Sequence, residues 1–149
     1  MFKIMLALHL LFAIFAVGPL VFAATTAGRG VRRGDAAEVA SAARVLRWYS
    51  LASVLVVIFG LALMSAEPPW GGDHTAEFSD PYIWISLILW VAAMGVVHGF
   101  VLPQLGHVGE KLAASEAVSA FTAKIAAAGG LVGVIFAVII FLMVYKPGS

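Results

Sequence analysis

The stretch 80–105, DPYIWISLILWVAAMGVVHGFVLPQL, constrains this chain most, because no residue from position 82 to position 102 is charged. At 1.5 Å rise per residue such a run makes a helix of about 32 Å, enough to cross a hydrocarbon core of roughly 30 Å. Asp80 is placed to cap the helix, and Pro81 suits its first position, where a missing N–H costs nothing. Tyr82 and Trp84 fall where an interfacial aromatic belt belongs. Whatever this chain does is expected to be done in or across a membrane.

Composition extends that expectation to the whole chain. Apolar residues make up 62% and charged residues 11% of 149, where a soluble domain is about half apolar and a quarter charged. This leaves room for about four spans with short loops and no separate soluble domain. The expected fold is an all-α membrane protein, a single four-transmembrane-helix antiparallel bundle over 1–149, with spans at about 4–26, 48–66, 82–105 and 124–145. The first apolar run ends in Val21-Phe22-Ala23, which could pass for a signal-peptidase site. It is longer than a signal h-region, however, and is read as a retained helix. Asp35-Ala-Ala-Glu38 has the spacing of a capping box, opening a helix expected to run through Arg44 and Arg47 into the second span. Glu67-Pro-Pro-Trp-Gly-Gly stops that span. A second polar loop, 106–123, is expected to be partly helical around 113–121.

Lysine and arginine set the orientation. Arg29, Arg32, Arg33, Arg44, Arg47, Lys111 and Lys124 fall in or beside the first and third loops, while the opposite face has Lys3, Lys146 and an acidic loop. The positive-inside rule then puts both termini and the acidic loop on the outer face of a bacterial plasma membrane. An internal repeat is legible at an offset of about 77, with Gly18 on Gly95 and Arg47 on Lys124, although apolar helices also align by chance. It implies two tandem helical hairpins of like orientation.

Candidates for chemistry are few. There is no cysteine, which removes disulfides, thiolate metal sites and cysteine nucleophiles. No basic patch carries interleaved aromatics, so nucleic acid is not an expected partner. His9 and His98 suggest a haem b held between two spans, but they sit about five residues to opposite sides of their midpoints, roughly 15 Å apart in depth. That argues against a shared iron and leaves a single-histidine haem open, beside the plainer reading that each imidazole bonds to a neighbouring helix. Asp73, His74 and Glu77 could form a weak external metal site, or simply a solvated loop. His107 is expected at the inner interface. No span carries a mid-membrane Asp, Glu, Lys or Arg, which argues against a transporter component. Ser50, Ser53 and Ser86 are expected to close hydrogen bonds between or along helices. Gly18, Gly95, Gly99, Gly129 and Gly133 are the expected helix-packing positions. Trp90, Phe59, Phe136 and Phe141 are expected to cover lipid- or partner-facing surface.

The opening MLALHLLFAIFAVGPLVF, followed by a basic loop and a second hairpin, resembles an uncharacterised family of bacterial four-helix membrane proteins with a Leu-His-Leu first helix. The Ala/Gly/Val-rich composition, with arginine over lysine, is also similar to that of small actinobacterial accessory proteins. These join a cytochrome bcc complex to a cytochrome oxidase in a respiratory supercomplex. The resemblance implies a non-catalytic subunit without a cofactor of its own, in contact with the lipid bilayer, bound phospholipid and other integral membrane subunits.

Overall fold

In the computed structural model, which describes residues 1–71 and 76–148, the chain forms four long helices: α1 (Phe2–Arg33), α2 (Ala36–Met64), α3 (Pro81–Ala113) and α4 (Ser119–Tyr145). Each is long and apolar enough to cross a membrane. No strand occurs among the described residues.

The helices run well past the expected spans. The first loop was expected to begin near Gly28, yet α1 continues to Arg33 and the connection reduces to Gly34 and Asp35. Gly34 takes φ +63°, and the chain reverses through two bonds, Asp35 N–H to the Gly30 carbonyl and Gly34 N–H to the Val31 carbonyl, each 3.1 Å. This is the glycine-terminated Schellman turn. Asp35 then caps α2, its carboxylate accepting the Ala37 and Glu38 N–H groups at 3.0 Å. The backbone N–H of Asp35 is occupied by Gly30, so Glu38 turns instead toward the Arg33 guanidinium, 3.6 Å away. The third connection also differs from expectation. Helix fills 106–113, and the break falls at 114–118, inside the segment expected to be helical. There Ser115 takes φ +56° and Lys111 Nζ contacts Glu116 Oε2 at 2.7 Å.

At 1.5 Å per residue α1 and α3 are about 48–50 Å long, well over a 30 Å core. Their excess length carries Arg29, Arg32, Arg33 and Lys111, and Arg44 and Arg47 follow on the first turns of α2, so the two short turns form one basic end. The termini gather at the other end, where Phe2 meets Trp70 edge-on at 5.2 Å and Gly148 lies against Pro81.

The helices form a ring in which α1 packs on α2 and α4, and α3 on α2 and α4. The α1–α4 contact is the closest. The Ala24 carbonyl stands where a side chain at Gly129 would go, a methyl at Gly28 would lie 3.0 Å from Ala126 Cβ, and one at Gly133 would lie 3.2 Å from Thr25 Cγ2. Small residues let these backbones meet, the usual basis of helix association in lipid. The core, including Leu20, Leu46, Val101, Ile125 and Val132, is concentrated toward the basic end. Phe136 belongs to it at 4% exposure, correcting its expected surface role, while at the start of α3 Tyr82 is buried and Trp84 is exposed. Phe59 stacks on Phe12 at 5.5 Å, while Phe141 is exposed as expected.

Both odd-numbered helices contain a π-helical turn, Ala13–Val17 in α1 and Val97–Val101 in α3. In each, one residue separates the turn from a proline, Pro19 or Pro103. Proline lacks an N–H and crowds the carbonyl four residues back. Widening the preceding turn relieves that crowding without breaking the helix, and Leu102 N–H reaches the Val97 carbonyl five residues back. The two devices lie 84 residues apart.

Candidate functional site

Ser50, Ser53, Trp90, Met94 and His98 collect along the seam between α2 and α3. On α3, Trp90, Met94 and His98 recur every four residues and share a face. Ser50 and Ser53 face them from α2, both buried. Trp90 Nε1 donates to Ser53 Oγ at 3.1 Å, and Ser53 Oγ donates to the Ser50 carbonyl at 2.6 Å, with Met94 Sδ 3.8 Å away. The Ser50 hydroxyl donates to the Arg47 carbonyl at 2.9 Å, so its oxygen accepts from His98 Nε2, 2.8 Å away. In this arrangement Nδ1 of His98 is a bare acceptor, and His98 is exposed on the outside of the bundle. Trp90, expected to cover surface, is thus tied into the seam. The four-residue spacing on α3 and the Ser50–Ser53 pair were the signals from which this seam could have been read.

His9 is placed differently. Its Nδ1–H donates to the Val56 carbonyl of α2 at 2.9 Å, and its ring lies where Gly60 has no side chain, 3.1 Å from the position of a Cβ. The structure does not bring His9 and His98 together. Their anchors on α2, Val56 and Ser50, are six residues or about 9 Å apart along the helix, whereas two imidazoles on one metal need bonds of about 2 Å each.

Of the proposed external metal ligands, Asp73 and His74 lie outside the described residues. Glu77 accepts from Ser79 Oγ at 3.1 Å, and its backbone N–H donates to Asp80 Oδ2 at 2.8 Å. Asp80 thus occupies the cap position of α3 with its carboxylate turned back to the loop. No group of three or more metal-ligating side chains occurs among the described residues. His107 is exposed at the basic end, its Nδ1 3.8 Å from Glu110 Oε2. Ser86 is buried with no hydrogen-bond partner for its hydroxyl, unlike Ser50 and Ser53.

The packing glycines divide into two sets. Gly129 and Gly133, with Gly28, are used inside the bundle, whereas Gly18, Gly95 and Gly99 have nothing within 4 Å of a would-be Cβ. Gly95 and Gly99 are exposed on α3 with Ile88, Val91 and His98. The face is apolar and indented at its glycines, with one hydrogen-bond acceptor at its edge. No protein-family model, curated protein or solved structure matches this chain.

Proposed function

We propose that this chain is a non-catalytic accessory subunit of a larger membrane complex, docked through the open face of α3. The observation that carries the reading is the exposed Gly95–Gly99 indentation with His98 between the two glycines. Glycines four apart admit another helix to backbone contact, and the pair Gly129 and Gly133 of α4 is already used against α1 within the bundle. An imidazole facing lipid is costly and marks a functional surface. A donor on a partner helix would satisfy its free nitrogen. The respiratory partner, a cytochrome bcc complex with its oxidase, follows from the resemblance. The arginine-rich end would face the inside of a bacterial plasma membrane, with both termini outside.

The test is extraction of the protein from its native membrane in mild detergent, with identification of what co-migrates. The expected result is cytochrome and oxidase subunits at a fixed ratio, with at least a roughly tenfold loss of association in Gly95→Ile/Gly99→Ile and none in Gly130→Ile. A lone monomer or homo-oligomer overturns the reading. One observation favours a second reading, a haem b held by one histidine. The His9 Nδ1–H bond to a backbone carbonyl leaves Nε2 as the ligating nitrogen, the orientation common to metal-binding histidines. A Soret band in the same extract, lost in His9→Ala, would select that reading.

A further inference from the structure

At the basic end a groove opens between the first half of α2 and the last part of α3. Its walls are small: Ala40 and Ala43 on α2 face Gly106 and Gly109 on α3. Arg44 and Arg47 rise along its rim with Trp48 beside them, and all three are exposed. Every carboxylate at this end is engaged elsewhere. Asp35 caps α2, Glu38 faces Arg33, Glu110 faces His107, and Glu116 holds Lys111. Among the described residues, Arg44 and Arg47 have no carboxylate partner.

We propose that this groove binds the headgroup of an anionic phospholipid. The two guanidinium groups lie one turn apart on a single helix face, each offering forked N–H donors that match phosphate oxygens. Trp48 marks the depth, since indoles settle at the level of lipid headgroups. Below Trp48, α2 exposes Leu51, Val54 and Ile58, so a phosphate at Arg44 and Arg47 leaves its acyl chains pointing into the hydrocarbon. Basic clefts between spans at the arginine-rich face of a bilayer are the recurrent setting for such lipids. The floor of Gly106 and Gly109 keeps the cleft open, because a side chain at either position would fill it. Gly99 lies seven residues, about 10 Å, from Gly106. The lipid site therefore does not rest on the accessory-subunit reading and does not compete with it for surface.

The test is native mass spectrometry of the purified full chain titrated with phosphatidylglycerol or phosphatidylcholine of matched acyl chains. The expected result is one tightly retained phosphatidylglycerol, preferred over phosphatidylcholine by about tenfold or more, with no displacement by millimolar inorganic phosphate. Arg44→Gln/Arg47→Gln is expected to abolish the preference. Gly106→Leu/Gly109→Leu is expected to abolish it with every charge kept, which separates the cleft from diffuse attraction. Arg29→Gln/Arg32→Gln, at the same end but outside the groove, is expected to leave it within about twofold. Equal retention of the two lipids overturns the proposal, as does equal loss in the two arginine pairs. Displacement by an acidic peptide but not by phosphatidylglycerol would give the groove to a protein partner. Circular dichroism of each variant checks that it is folded, and Arg44→Lys/Arg47→Lys keeps the test open if the glutamine pair is not.

Discussion

A methyl group added at Gly129 would run into the Ala24 carbonyl of α1, while one added at Gly130 would meet nothing within 4 Å. Two adjacent glycines thus have opposite sensitivities. A leucine at Gly129 must push α1 and α4 apart along their closest contact, and overpacking costs typically 1–3 kcal/mol even where side chains alone have to move. Here the obstacle is backbone, so Gly129→Leu is expected to cost about 3 kcal/mol or more. Gly130→Leu should be neutral or slightly stabilising, because leucine is a better helix former than glycine. Detergent titration followed by far-ultraviolet circular dichroism checks both, and equal effects would show that Gly129 is not at a backbone contact. In the sequence the Gly-xxx-Gly spacing marks Gly129 as a candidate but not the neighbour it meets.

At the scale of the elements, the α1–α2 connection shows how far local chemistry carries. Asp35 and Glu38 were legible as a helix start, and Asp35 does cap α2. Gly34 and the carbonyls of Gly30 and Val31 supply the matching stop for α1, so a connection expected to begin near Gly28 shrinks to Gly34 and Asp35. Its polar composition is that of helix ends projecting beyond the apolar core. Asp35→Ala removes the acceptor for two N–H groups and is expected to destabilise α2 by about 1 kcal/mol, with Asp35→Asn close to wild type. Amide exchange at Ala37 and Glu38 reads this locally; unchanged protection in Asp35→Ala would mean the cap contributes nothing. The π-helical turns were not legible, although Pro19 and Pro103 stand in the sequence as residues an unbroken helix must accommodate. Proline requires relief, but only the surrounding packing selects between a kink, a stop and a widened turn.

For the whole molecule, the ring of four helices puts both short turns at one end and the termini at the other. Seven of the nine lysines and arginines lie in or beside the turns at the first end. By the positive-inside rule that end is proposed to face the cytoplasm. The chain has no cysteine, so single cysteines can report the orientation. An impermeant maleimide applied to intact cells is expected to label Ser79→Cys and to spare Ala114→Cys, and the reverse pattern would invert the topology. The sequence by itself determined four apolar helices, their antiparallel order, the charge asymmetry and the capping of α2. These follow from hydropathy, helix period and short-range hydrogen bonding. Only the tertiary structure decided which glycines meet a neighbour, that His9 and His98 both bond to α2, and that an α2–α3 groove gathers two arginines. Those outcomes depend on which helix faces come together, and lipid, being as apolar as the side chains it solvates, leaves that choice to packing among the helices.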